Sequence, residues 1–113
     1  MPLESELEVA VKLVAALRGP IDTLRGIDKG LADYLRRSAH HLAVAINEAR
    51  WHDGEAHTLL LRQASDNISE VYAALQLAEQ WGHLDRSSLT APRALLDLEQ
   101  DLLAGPGERK LAG

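Results

Sequence analysis

The sequence predicts an all-α fold, an antiparallel up-down-up-down four-helix bundle, on three observations. Hydrophobic residues make up 46% of the chain but aromatics only 4%, with no Phe, so a core has to be assembled from Leu, Ala, Val and Ile, the material of helix bundles. Apolar side chains recur at three- and four-residue steps in four separate segments, the period that gathers side chains on one face of a helix. The connections between those segments are short, which sets consecutive helices side by side and antiparallel. A length of 113 residues fits one domain, 1–113, with 105–113 read as a loose tail.

The first segment carries Leu3, Leu7, Ala10, Val14 and Leu17 on one face. Ser5 and Glu8 have the spacing of a capping box, and Gly19-Pro20 reads as a stop because proline lacks an amide donor and restricts the residue before it. Ile21, Leu24 and Ile27 continue an apolar spacing past that break, which leaves a further helical turn open before Gly26 and Gly30. The second helix starts near Asp28, carries Leu31, Leu35, Ala39, Leu42, Ile46 and Ala49, and ends around Trp51 ahead of the Asp53-Gly54 turn signal. The third runs from about 55 to 81. Its stripe of Leu61, Ala64, Ile68, Val71, Leu75 and Ala78 alternates three and four strictly, the spacing of knobs-into-holes packing. Leu60, Ala74 and Trp81 widen that face, and Gly82 closes the helix as a C-cap. The fourth helix opens after Ser87, Ser88 or Thr90 with Pro92 in its first turn, presents Leu95, Leu98 and Leu102 inward, and ends at Gly105-Pro106-Gly107.

Charge and composition exclude several classes of function. Seventeen acidic against twelve basic residues give a net charge of -5, which repels phosphate backbones unless cations are gathered locally. With no Cys there is no disulfide framework, no thiolate nucleophile and no Cys-ligated zinc, which suits a reducing cytoplasm. The acidic first residues do not read as a signal peptide, no apolar run reaches the ~18 residues of a membrane span, and a membrane partner is not expected. A core of small aliphatics in so short a chain favours further burial between subunits, so the expected partner is a second copy of the chain.

The stretches LADYLRRSAHHLAVAINEA, from Leu31, and ASDNISEVYAALQLAEQWGHL, from Ala64, resemble a family of bacterial four-helix-bundle proteins first noticed as reading frames in 23S ribosomal RNA intervening sequences. Leu35, Arg36, Arg37, Ala39, Leu42, Ile46 and Glu48 fall on the family's second-helix pattern, and Ala64, Ile68, Glu70, Leu75, Ala78, Gly82 and Leu84 on its third. The resemblance covers roughly the middle half of the chain. It departs from the pattern at Ala45, where the family has Asn, at Ala49, where it has Gly, and at Asp66-Asn67, which replace a Gly-Ser pair. The resemblance implies an antiparallel bundle that assembles as a ring, often a homopentamer, without enzymatic activity or cofactor. A related branch comprises basic accessory proteins of diversity-generating retroelements that bind a reverse transcriptase and nucleic acid, and the acidic balance here argues against that branch.

Individual residues define the candidate sites. His52, Asp53, Glu55 and His57 bring two imidazoles and two carboxylates into the turn before the third helix, a donor set a divalent metal takes. Against that stands a solvated junction whose acids favour the helix N-terminus. His40 and His41 lie off the apolar stripe and read as solvent or subunit-contact positions. Glu48 and Glu70 match family positions and are candidates to pair with each other or with Arg36, Arg37 and Arg62 within or between subunits. Trp51, Tyr72 and Trp81 read as interface anchors. The expected interface set is therefore Arg36, Arg37, His41, Glu48, Trp51, Glu70, Tyr72 and Trp81 on a non-enzymatic, homo-oligomeric interaction or scaffold module. The alternative is a nucleic-acid-associated accessory protein using Arg36, Arg37, Arg50 and Arg62 as a phosphate-facing surface.

Overall fold

The computed structural model describes the backbone of residues 2–112 and the side chains of residues 2–105. Regular structure among them is all helical: α1 (Glu4–Ala16), α2 (Arg18–Arg25), α3 (Lys29–Ala49), α4 (Gly54–Gln80) and α5 (Arg86–Ala112). The first two form one bent arm, so the architecture is a four-helix bundle. That arm packs on α3 and, through α1, on α5; the α3–α4 contact is the most extensive, and α4 touches α5 over a smaller seam. Each helix thus lies beside its neighbours in the chain and the last closes on the first, the up-down-up-down arrangement expected of short connections.

The stop expected at Gly19-Pro20 is a bend. The hydrogen-bond ladder crosses the junction, with the Leu17 amide donating to the Leu13 carbonyl at 3.0 Å and the Ile21 amide to the Leu17 carbonyl at 2.9 Å. Pro20 is the third residue of α2, in a first turn whose amides need no intrahelical acceptor, so the missing donor costs little. The turn left open over 21–27 is therefore α2, and Leu13, Leu17, Ile21 and Leu24 run as one buried line through the bend. The capping box is not formed. Leu3, in the left-handed conformation at φ 61°, precedes α1, which places Ser5 inside the first turn with no capping bond from a side chain.

α3 is capped by Asp28, whose side chain accepts from the Leu31 amide at 3.0 Å. Its predicted stripe is buried apart from half-buried Leu31, as is the α4 stripe apart from Leu61 at its start. α4 ends as its Gly82 predicts. Gly82 has φ +74°, the His83 amide donates to the Ala78 carbonyl at 2.8 Å and the Gly82 amide to the Glu79 carbonyl at 3.0 Å, a Schellman arrangement that folds Leu84 into the core.

The register of the last helix differs from expectation. α5 begins at Arg86, so Pro92 sits in its second turn, fully buried. The buried line is Leu89, Pro92, Leu96 and Glu99; half-buried Leu95 and Leu103 pack against the core on its two sides, Leu102 is half-buried and Leu98 is 46% exposed. The sequence reading followed the all-leucine line one position away because the true line contains a glutamate. Gly105, at φ 76° and ψ 167°, interrupts α5 where the helix end was placed, and the backbone is helical again to Ala112. The loose tail expected past Gly105 lies outside the described side chains.

Candidate functional site

All four aromatic residues of the chain lie at the surface, none in the core. Trp51 is 66% exposed and Trp81 57%, with Tyr72 and Tyr34 close to 37% and 36%. They do not form a single patch. Trp81, exposed Leu77 one turn before it and Ile27 lie near the end of the bundle where α3 begins and α4 finishes, and Tyr34 stands in the second turn of α3. There the Trp81 ring meets His83 edge-on with centroids 5.8 Å apart, and His83 Nε2 is 3.9 Å from the Asp28 carboxylate. Trp51, Val44 seven residues before it on the same helical line, and Leu59 occupy the opposite end, where the Arg50 guanidinium lies 5.5 Å above the Trp51 ring. The 27 residues of α4 hold the two ends about 40 Å apart at 1.5 Å per residue.

The His52 to His57 cluster does not converge. His52 Nδ1 lies 2.8 Å from the Glu48 carbonyl oxygen and His57 Nδ1 2.8 Å from that of Ala49, so as donors both imidazoles satisfy carbonyls freed at the end of α3. Among the described residues no group of three or more His, Asp or Glu side chains is placed to hold a metal ion. Of the metal candidates His52, Asp53, Glu55 and His57, the two histidines thus bond the end of α3, while Asp53 stands at the N-cap of α4 without a side-chain capping bond.

Arg36, Arg37, His40 and His41 stand exposed on α3 and border one surface hollow with Asp33. Glu48 is exposed, and Glu70 is half-buried and accepts from Asn67 Nδ2 at 2.9 Å. Among the described residues neither carboxylate pairs with Arg36, Arg37 or Arg62 within the chain. Tyr72 donates its hydroxyl to Asp97 Oδ1 at 2.7 Å across the α4–α5 seam, a bond that raises the phenol pKa. Arg93 and Arg86 grip Glu79 at 2.6 and 3.0 Å on the same seam and hold its carboxyl below the usual range. The four arginines of the nucleic-acid alternative are dispersed. Arg50 is half-buried against Trp51, Arg62 borders Glu55 and Thr58 on α4, and Arg36 is 14 residues, about 21 Å, from Arg50 along the α3 direction.

Sequence reasoning missed Glu99. It is fully buried, neither carboxylate oxygen has a hydrogen-bond partner, and burial pushes its carboxyl up to about 8, with the negative charge of Glu6 on α1 adding to the effect. The signal was its place three residues after Leu96 and four before Leu103.

No described helix is long and apolar enough to cross a membrane. Comparison of the chain with protein-family models, curated proteins and solved structures finds no match.

Proposed function

We propose that the chain is a non-enzymatic assembly module that forms a closed ring of identical subunits and serves as an interaction scaffold. The observation that carries the reading is the exposure of every aromatic side chain. Trp and Tyr each bring 150–250 Å² of largely apolar area, and they are the side chains that dominate protein interfaces. Leaving both tryptophans more than half exposed gives up burial that a 113-residue chain with an aliphatic core has reason to recover.

The occupant is a second copy of the chain. Two apolar patches at opposite ends of the α3–α4 hairpin suit a head-to-tail contact, in which the Trp51 end of one subunit meets the Trp81 end of the next. Such contacts close into a ring when the rotation between subunits divides a full turn, and the family resemblance points to five subunits. The nucleic-acid alternative has less support, because the arginines it needs are spread over the bundle.

Light scattering on Trp51→Ser, Trp81→Ser and their mixture tests the reading. Head-to-tail assembly predicts that each single variant is monomeric and that the mixture yields a heterodimer, since one intact patch remains on each partner. A wild-type chain monomeric at high concentration overturns the assembly. A mixture that stays monomeric, or single variants that still dimerise, overturns the head-to-tail contact.

A further inference from the structure

We propose that the hollow between the α1–α2 arm and α3 is a binding site for a small phosphate-bearing molecule. It encloses about 290 Å³, near the lower end of small-molecule pockets, over a floor formed by Val14, Ile21 and Ala39. Its rim is cationic: Arg18, Arg25 and Arg36 line it beside His40, and Asp22 is the one acid among the lining residues. That acid is already engaged, with Oδ1 3.7 Å from Arg25 Nη1. Neither Arg18 nor Arg36 has an ion pair or side-chain hydrogen bond within the chain among the described residues. Arg36 and His40 also border the adjoining hollow of about 440 Å³, which adds Arg37 and His41 against Asp33.

The helices put these groups in place. Arg18 and Arg25 are seven residues apart, two turns along one line of the arm, and Arg36 and His40 are one turn apart on α3. The bend at Pro20 keeps the arm helical, and so carries the first pair across from the second. Across the two hollows four guanidinium groups and two imidazoles face two carboxylates, on a chain with seventeen acids to twelve bases. Elsewhere Lys12 pairs with Glu8 at 3.2 Å and Arg86 and Arg93 share Glu79, while Lys29, Arg50 and Arg62, without an ion pair among the described residues, are dispersed along the chain. Gathering unpaired like charges is unfavourable unless an anion from outside relieves the repulsion, and a guanidinium's forked donors match phosphate oxygens.

The size of the charged area selects among phosphates. The two hollows hold about 290 and 440 Å³, and the chain carries a net charge of -5, which opposes a polyanion tracking many phosphates. A single phosphate or diphosphate stays within the rim, and the aliphatic floor receives the carbon body of an organic ester. The site is independent of the aromatic patches, since Arg36 is two residues past Tyr34 and therefore about 200° around α3 from it.

The test is calorimetric titration with inorganic pyrophosphate and with glucose 6-phosphate, alongside amide shift mapping on labelled protein. Expected are saturable binding of at least one of the two, shifts centred on Arg18, Arg36 and His40, and an affinity loss of about tenfold or more in each of Arg18→Gln and Arg36→Gln. Arg62→Gln, on a distant face, should bind as wild type, and all variants should keep the wild-type helical circular dichroism. Absence of saturable binding for both probes overturns the proposal. So does an equal loss in Arg62→Gln, or binding confined to a long single-stranded oligonucleotide.

Discussion

Replacing Glu99 should stabilise the protein and remove a defined part of its pH dependence. In the unfolded chain the carboxyl titrates at its ordinary value of 4.5, whereas in the bundle burial raises it to about 8. Between those values the folded state holds a proton that the unfolded state has released, so stability falls as pH rises, by about 1.4 kcal/mol per pH unit. Below pH 4.5 both states are protonated and the contribution is constant; above about 8 both are ionised and the full penalty applies. At pH 7 keeping Glu99 neutral costs about 3 kcal/mol, and at pH 8 and above the cost approaches about 5 kcal/mol, as an upper bound. The assay is urea unfolding followed by helical circular dichroism at pH 5, 6, 7 and 8, at one protein concentration because assembly adds to apparent stability. Glu99→Gln should match wild type near pH 5 and exceed it increasingly toward pH 8. Glu99→Leu should exceed it at every pH, by up to about 3 kcal/mol at pH 7, because the leucine carries no charge to desolvate and leaves no polar atom unpaired. Parallel pH profiles for wild type and Glu99→Gln, or a Glu99→Leu protein less stable than wild type at pH 7, would refute the burial argument.

The register of α5 is tested by a pair of variants: Leu96→Asp should unfold the chain, as Leu75→Asp should, while Leu98→Asp should change stability by no more than about 0.5 kcal/mol in thermal melts. Asp28→Ala should cost about 1 kcal/mol in urea unfolding, since it removes the acceptor of the Leu31 amide at the start of α3.

Much of the fold was legible because it rests on local rules. The strict alternation from Leu61 to Ala78 marked the α4 face, Asp28 and Gly82 marked the two helix ends where their side-chain and backbone chemistry is needed, and all three readings match the structure. Local rules misled where neighbouring structure outweighed them. Pro20 reads as a breaker, yet in the first turn of α2 it has no hydrogen bond to lose, and burial of Ile21 and Leu24 rewards continuing the helix. Ser5 had the spacing of a cap but the helix starts before it.

The candidate sites were legible as residue types and illegible as arrangements. The sequence by itself determined that the chain is helical, that its core is aliphatic, and that its few aromatics and its arginines in the second helix were the residues to watch, because periodicity and composition are properties of the chain order. Only the tertiary structure decided that both tryptophans face outward at opposite ends, that His52 and His57 turn back onto carbonyls, that Arg18 and Arg25 come across from Arg36, and that Glu99 is enclosed. Each of these depends on which helix lies beside which and in what rotation. That choice is made by burial summed over the whole bundle, which favours one register of α5 even though it encloses a carboxylate, and no short stretch of sequence contains the sum.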